Sequence, residues 1–293
     1  MFPPKDPGFH VEQVNGGATL VVTDSWSRQA ERVLASGRVD GLDLNYAKGF
    51  KNTDLAFIRP WPLKRLDILD RTITDVTPIY ALSSTLEWLS VQSAPAATID
   101  LARLPSLTSV SAGWAQVSSS IGDLPGLTDL FLLSYSEVDL APLRWNTRLV
   151  RLRFKDRPRL RSLAGLEALQ SIEHLGVYLA PLRDITALCD LPSTGLRELH
   201  LESCRISELS SVACARDLRF LNVSDCGEIE SLRPLRGLHA LEVLWLYGTT
   251  KVLDDDLTPI TALPRLRELR LMSRKSYRPS VKGVETLIAQ RAG

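Results

Sequence analysis

The sequence predicts an α/β solenoid in which each coil adds one short strand to a parallel, concave β-sheet and returns along a convex side of short 3-10, helical or irregular segments. Three observations carry that expectation: an apolar pattern that recurs about every 23 residues, apolar and polar alternation inside each copy, and a second apolar motif after each copy. The pattern L-x-x-L-x-L, with Val, Ile or Phe allowed at its apolar positions, begins at Val39, Leu63, Leu86, Leu107, Leu127, Leu149, Ile172, Leu196, Leu218, Leu241 and Leu266. The ten intervals are 24, 23, 21, 20, 22, 23, 24, 22, 23 and 25 residues, a register that coincidence does not hold.

Residues 1–38 read as an N-terminal cap built of a hairpin and a helix. His10–Val14 and Ala18–Val22 flank Asn15-Gly16-Gly17, a turn signal between two apolar runs. Asp24 or Ser25 is then placed to cap a helix whose Trp26, Ala30, Val33 and Leu34 share one face, with Gly37 closing it.

Residues 39–275 are the repeats, about eleven copies. In Leu196-Arg197-Glu198-Leu199-His200-Leu201-Glu202 the two inner leucines share one face of a strand, and Glu198, His200 and Glu202 share the other. Segments such as Ile73-Thr74-Asp75-Val76-Thr77-Pro78-Ile79 then carry the chain back along the outer side. One coil of about 23 residues cannot bury both of its apolar edges, so the coils stack and share a continuous core. Residues 276–293 read as a C-terminal capping helix in which Ser280 caps and Val281, Val284, Leu287 and Ile288 face inward.

This pattern resembles the leucine-rich repeat family, in its short class of about 22 residues per repeat, as in bacterial internalin-like and phosphatase-regulatory repeat proteins. The resemblance covers roughly residues 39–275 and implies a horseshoe that binds a protein partner on its concave face. It departs from the family at the ninth repeat position, where the usual buried Asn is replaced by Arg71, Ala94, Ala115, Tyr135, Ala180, Cys204, Cys226 and Thr249. The turn after each strand must then satisfy its backbone groups with fewer side-chain amides.

Composition narrows the function. The formal net charge is +1, from 35 Lys and Arg against 34 Asp and Glu, so no net field draws the chain to nucleic acid or anionic lipid. There is no apolar run long enough for a membrane span and no secretory stretch at Met1-Phe2-Pro3-Pro4-Lys5-Asp6-Pro7, which makes a cytoplasmic location the expectation. Four cysteines are accordingly expected as reduced thiols, with Cys204 and Cys226, at the same position of successive copies, stacked in a buried ladder. Cys189 and Cys214 fall at other positions of the repeat, and no C-x-x-C pair points to zinc.

The third, fifth and seventh positions of each copy alternate with the buried ones and form the candidate binding face. Its large apolar members are Trp88, Phe131, Leu133, Tyr178, Phe220, Trp245 and Tyr247, a costly set to leave in water unless a partner covers it. A basic stripe, Arg151, Arg153 and Lys155, stands two copies before an acidic one, Glu198, His200 and Glu202, and this order selects a partner of the reversed pattern. No nucleophile elbow, phosphate-cradling glycine loop, kinase motif set or H-E-x-x-H occurs. The expectation is therefore a non-enzymatic scaffold, monomeric alone, that binds a protein on its concave face, without nucleic acid, membrane, metal or cofactor. A bacterial immunity or inhibitor protein neutralising an effector is one alternative. An enzyme with an acid–base site around His200 is the other.

Overall fold

The computed structural model describes residues 7–14, 17–192 and 195–292. The chain folds as two compact units, Met1–Asp129 and Leu130–Gly293.

The first unit opens on an antiparallel hairpin, β1 (Phe9–Val14) and β2 (Gly17–Val22), in register from Phe9 opposite Val22 to Val14 opposite Gly17. The turn residues Asn15 and Gly16 lie outside the described residues. Helix α1 (Arg28–Ala35) is capped by Ser27, whose Oγ accepts from the Ala30 amide at 3.2 Å. This corrects the assignment to Asp24 or Ser25: a cap must stand directly before the first helical residue in extended backbone, as Ser27 does, and Asp24 accepts from Ser25 instead. Trp26 is likewise outside the helix, stacked on Phe57 at 4.4 Å between ring centres. Ala30 and Leu34 supply the buried face, and Gly37, at φ 67°, closes the last turn by donating to the Leu34 carbonyl.

From β2 the sheet continues in parallel through β3 (Gly41–Asn45), β4 (Arg65–Leu69), β5 (Trp88–Gln92) and β6 (Ser109–Gly113). The partners across these strands are Gly41, Arg65, Trp88 and Ser109, all third positions of their copies. The return segments are 3-10 turns, Thr77–Leu82 among them, joined after β6 by the single turn α2 (Trp114–Val117).

The second unit begins at the second residue of β7 (Asp129–Leu133), and its sheet runs on through β8 (Arg151–Lys155), β9 (His174–Tyr178), β10 (Glu198–Glu202) and β11 (Phe220–Asn222). Two outer strands, β12 (Glu228–Ile229) and β14 (Lys251–Val252), pair in parallel beside the main sheet, which continues through β13 (Val243–Leu246) to β15 (Glu268–Leu271). Arg151, His174, Glu198, Phe220, Val243 and Glu268 stand partner to partner, again all third positions. The expected α/β solenoid, strands inside and short 3-10 or helical returns outside, is what each unit forms.

The apolar positions of each copy are buried, as in Leu196, Leu199 and Leu201. A buried leucine contributes about 1.5–3 kcal/mol, and the stacked rows make the core of each unit. Where the repeat lacks its amide, other side chains make hydrogen bonds at the strand ends and in the returns. The Cys226 thiol donates to Leu201 O at 2.8 Å, and the Thr250 hydroxyl to Val223 O at 2.7 Å. The Gln116 amide donates to Ser93 Oγ at 2.8 Å and Ala97 O at 3.2 Å, and the Tyr135 hydroxyl to Asp139 O at 2.7 Å.

After the short α3 (Thr258–Thr261), the chain ends in α4 (Val281–Ala292), where Ser280 Oγ accepts from the Gly283 amide at 3.2 Å. Val281, Val284 and Ile288 are buried, but Leu287 is 40% exposed. At 100° per residue it falls at the edge of the inward stripe, which corrects its assignment to the buried side.

Candidate binding face

In the first unit the face carries Trp88, half-buried under the Arg65 guanidinium, which lies 3.6 Å from the ring centre. Arg65 Nε also donates to Asp67 at 3.3 Å. The strand register sets Asp67 opposite both Asp43 and Ser90. Burial pushes the Asp67 carboxyl up to about 6, with Arg65 opposing and Asp43 adding to the rise.

A carboxyl that holds its proton more tightly when folded than when unfolded stabilises the fold at low pH. That advantage is lost as pH rises from the ordinary Asp value near 4 through about 6. Asp67→Asn should therefore raise stability at pH 7.5 by about 1–2 kcal/mol after allowance for its partial exposure, and change little at pH 4. Thermal melts of both proteins at the two pH values check this, and equal differences at both would contradict it.

In the second unit Phe131 and Leu133 project from β7, half-buried. The Arg153 guanidinium stands 5.0 Å from the Phe131 ring centre. Arg151 and Lys155 are exposed to either side of Arg153 on β8. The basic stripe thus projects together, with its central member leaning on an aromatic ring.

Next along the sheet is a run of rings. Gly176 leaves room for Tyr178 to fold back over the strand: a Cβ at residue 176 would come 2.9 Å from the Tyr178 ring. Tyr178 and His200 are 6.0 Å apart between ring centres. His200 stacks on Phe220 at 4.6 Å and 24°, and Phe220 meets Trp245 edge-on at 4.7 Å. Arg270 covers Trp245 at 4.1 Å. All four rings are only half-buried, and Tyr247 just beyond β13 is 57% exposed.

Glu198 reaches back to His174 Nδ1 at 3.0 Å and stands 4.0 Å from His200 Nε2. Burial holds the His200 pKa below its ordinary value, although Glu198 and Glu202 pull the other way, so the ring is largely neutral at pH 7. These three side chains line a cleft of about 230 Å³ with Arg151, Arg153 and Tyr178. Arg151 and Arg153 of the basic stripe and Glu198 and His200 of the acidic one therefore share one cleft. Among the described residues no group of three or more His, Cys, Asp or Glu side chains is placed to hold a metal ion.

A larger cleft, about 410 Å³, is lined by Glu202, Asn222, Ser224, Asp225, Trp245, Tyr247 and Arg270. Four of these were not singled out by sequence. Asn222 and Arg270 are fifth positions, and Ser224 a seventh, but none is apolar or part of a charged stripe. Asp225 follows the strand in left-handed backbone, φ 56°, where alternation assigns no face.

Cys204 and Cys226 are buried free thiols on neighbouring coils, and burial raises both, Cys226 to about 11. Cys189 and Cys214 instead form a disulfide, which corrects the expectation of four reduced thiols. They are the 18th and 19th residues of consecutive copies, in the successive 3-10 segments Thr186–Asp190 and Ser210–Cys214. Disulfides persist in oxidising compartments and are rare in a reducing cytosol, so this pair argues against the cytoplasmic expectation. No helix among the described residues is long and apolar enough to cross a membrane.

No protein-family model and no curated protein matches this sequence. Solved structures do. The chain is similar to the internalin InlF of Listeria monocytogenes, with a TM-score of 0.61 and 20% identity over 88% of this chain and 83% of that one. It is similar to a leucine-rich repeat protein of Leptospira interrogans, at 0.59 and 17% over 85% and 70%. TLR13, solved in complex with ssRNA13, matches at 0.58 and 19% over 80% of this chain and 39% of that receptor. The fold is a leucine-rich repeat solenoid, and its resemblance to internalin-like repeats is borne out in three dimensions.

Proposed function

We propose that this chain is a non-enzymatic recognition scaffold that holds a protein partner on the sheet face of its second unit. The observation that carries the reading is the continuous run of Tyr178, His200, Phe220 and Trp245 on a solvent-facing sheet, extended by the exposed Tyr247 and flanked by charges of both signs. Rigid aromatic side chains anchor protein interfaces, and mixed charge sets the partner's orientation. An RNA ligand, as in the TLR13 complex, fits less well, because Glu198, Glu202 and Asp225 border the same clefts.

A second reading, acid–base chemistry, rests on the 3.0 Å contact between His174 and Glu198 beside His200. The stacking of His200 on Phe220 favours a contact role over a proton-transfer role, since the ring packs as part of the wall.

The test is affinity capture with wild type, the double variant Trp245→Ala with Tyr247→Ala, and Trp145→Ala as an exposed control away from this face. Proteins held by wild type and by the control should be lost from the double variant, by tenfold or more for a face that supplies about 1.4 kcal/mol or more. Far-UV circular dichroism should be unchanged. Equal capture by all three would show that the face is not the site.

A further inference from the structure

We infer that the 410 Å³ cleft beside Trp245 is a receptor for one arginine side chain of the protein partner. The inference rests on the interaction reading above and adds the chemistry of what is bound. The cleft has aromatic walls, Trp245 and Tyr247, and two carboxylates, Glu202 and Asp225, and its one cation is Arg270. That cation is already engaged: its Nε lies 2.9 Å from Glu268 and its guanidinium rests on the Trp245 ring. Among the described residues neither Glu202 nor Asp225 has a Lys, Arg or His partner within ion-pair distance.

The carboxylates are held in place from within. Asn222, itself buried, donates its amide to Glu202 Oε2 at 3.1 Å and accepts from the Ser224 amide at 2.9 Å. Ser224 Oγ accepts from the Tyr247 amide at 3.1 Å, and Asp225 Oδ1 from the Thr249 amide at 3.0 Å. Gly248 leaves the space that the Asp225 carboxylate fills, for a Cβ there would stand 2.0 Å from Oδ1. These bonds use Oε2 of Glu202 and Oδ1 of Asp225. The second oxygen of each carboxylate accepts no protein hydrogen bond among the described residues.

Preset carboxylates beside an aromatic wall are complementary to a cation, and a guanidinium suits them best. It is planar, weakly hydrated, stacks on rings and presents a fork of donors to carboxylate oxygens, whereas an ammonium is a compact and strongly hydrated charge. The sheet already uses the same arrangement internally: Arg270 lies on Trp245 with Glu268 beside it, and Arg65 on Trp88 with Asp67. The incoming side chain would repeat it against the exposed Tyr247 ring, with Glu202 and Asp225 as its carboxylates.

The probe is capped arginine, N-acetyl-arginine-N-methylamide, with the neutral capped citrulline as control. Each is titrated to about 50 mM into the full chain while the Trp245 indole and the Ser224 and Tyr247 amides are followed by NMR. Capped arginine should give saturable shifts confined to this cleft, and citrulline none. Glu202→Gln with Asp225→Asn should weaken the arginine response at least tenfold. Arg270→Gln should strengthen it, because a like charge is removed, which a merely structural role for Arg270 does not predict. Equal shifts with citrulline, no shift with arginine, or arginine shifts indifferent to the double carboxylate variant would each overturn the inference. If arginine fails while the double alanine variant still loses its captured proteins, only this inference falls. If arginine binds while capture is indifferent to the alanines, the cleft stands as a cation site and the partner reading falls.

Discussion

Phe154→Ala is expected to lower the free energy of unfolding by about 3–5 kcal/mol. Phe154 is fully buried in β8, with its ring 4.8 Å from that of Tyr135 between centres. Tyr135 cannot swing in to fill the void, because its hydroxyl is tied to the Asp139 carbonyl and both rings are enclosed. In a stack of coils the damage spreads, since each coil is stabilised through its interfaces with its neighbours. Urea unfolding followed by circular dichroism checks the value. Phe154→Leu should lose less than half as much. A loss under about 1 kcal/mol for the alanine variant would mean that the ring is not packed as described.

Removal of the Cys189–Cys214 bridge is expected to cost about 2–4 kcal/mol, from the loop entropy it withholds from the unfolded chain. Melting with and without reductant, and of Cys189→Ser with Cys214→Ser, should show the same loss. Thiol titration of the unreduced protein in denaturant should find two reactive groups, Cys204 and Cys226. Folded, both should resist modification, since they are buried and their thiolates disfavoured. Four reactive thiols without reductant would contradict the pairing.

The register of the sheets was legible in the sequence because a strand repeats every two residues and each copy restarts the count. Counting from Leu149, Ile172 and Leu196 alone aligns Arg151 with His174 and Glu198, the pairing the strands adopt. The outer segments were not legible in this way. Their length drifts by several residues from copy to copy, so the 18th residue of one copy, Cys189, comes to face the 19th of the next, Cys214. Equating repeat position with spatial position hid that bridge.

Alternation placed Asn222, Ser224 and Arg270 on the face together with its aromatic members, but being neither apolar nor part of a charged stripe they carried no signal of the clefts they shape. Asn222 and Ser224 are buried on a face read as wet, where the Asn222 amide is bonded to Glu202 and the Ser224 hydroxyl to the Tyr247 backbone amide. Asp225 enters the larger cleft from a left-handed turn, whose direction depends on Gly248 in the next coil. Gly227 and Gly248, like Gly37, were signals of such turns that the period alone could not orient.

Footprinting of the captured complex tests the central claim most directly. Carbene labelling of the side chains, free and bound, should show Tyr178, Trp245 and Tyr247 protected in the complex while Trp145 and the outer segments are labelled as before. Protection centred on Trp145 and the 3-10 segments, with the aromatic run labelled equally in both states, would contradict it.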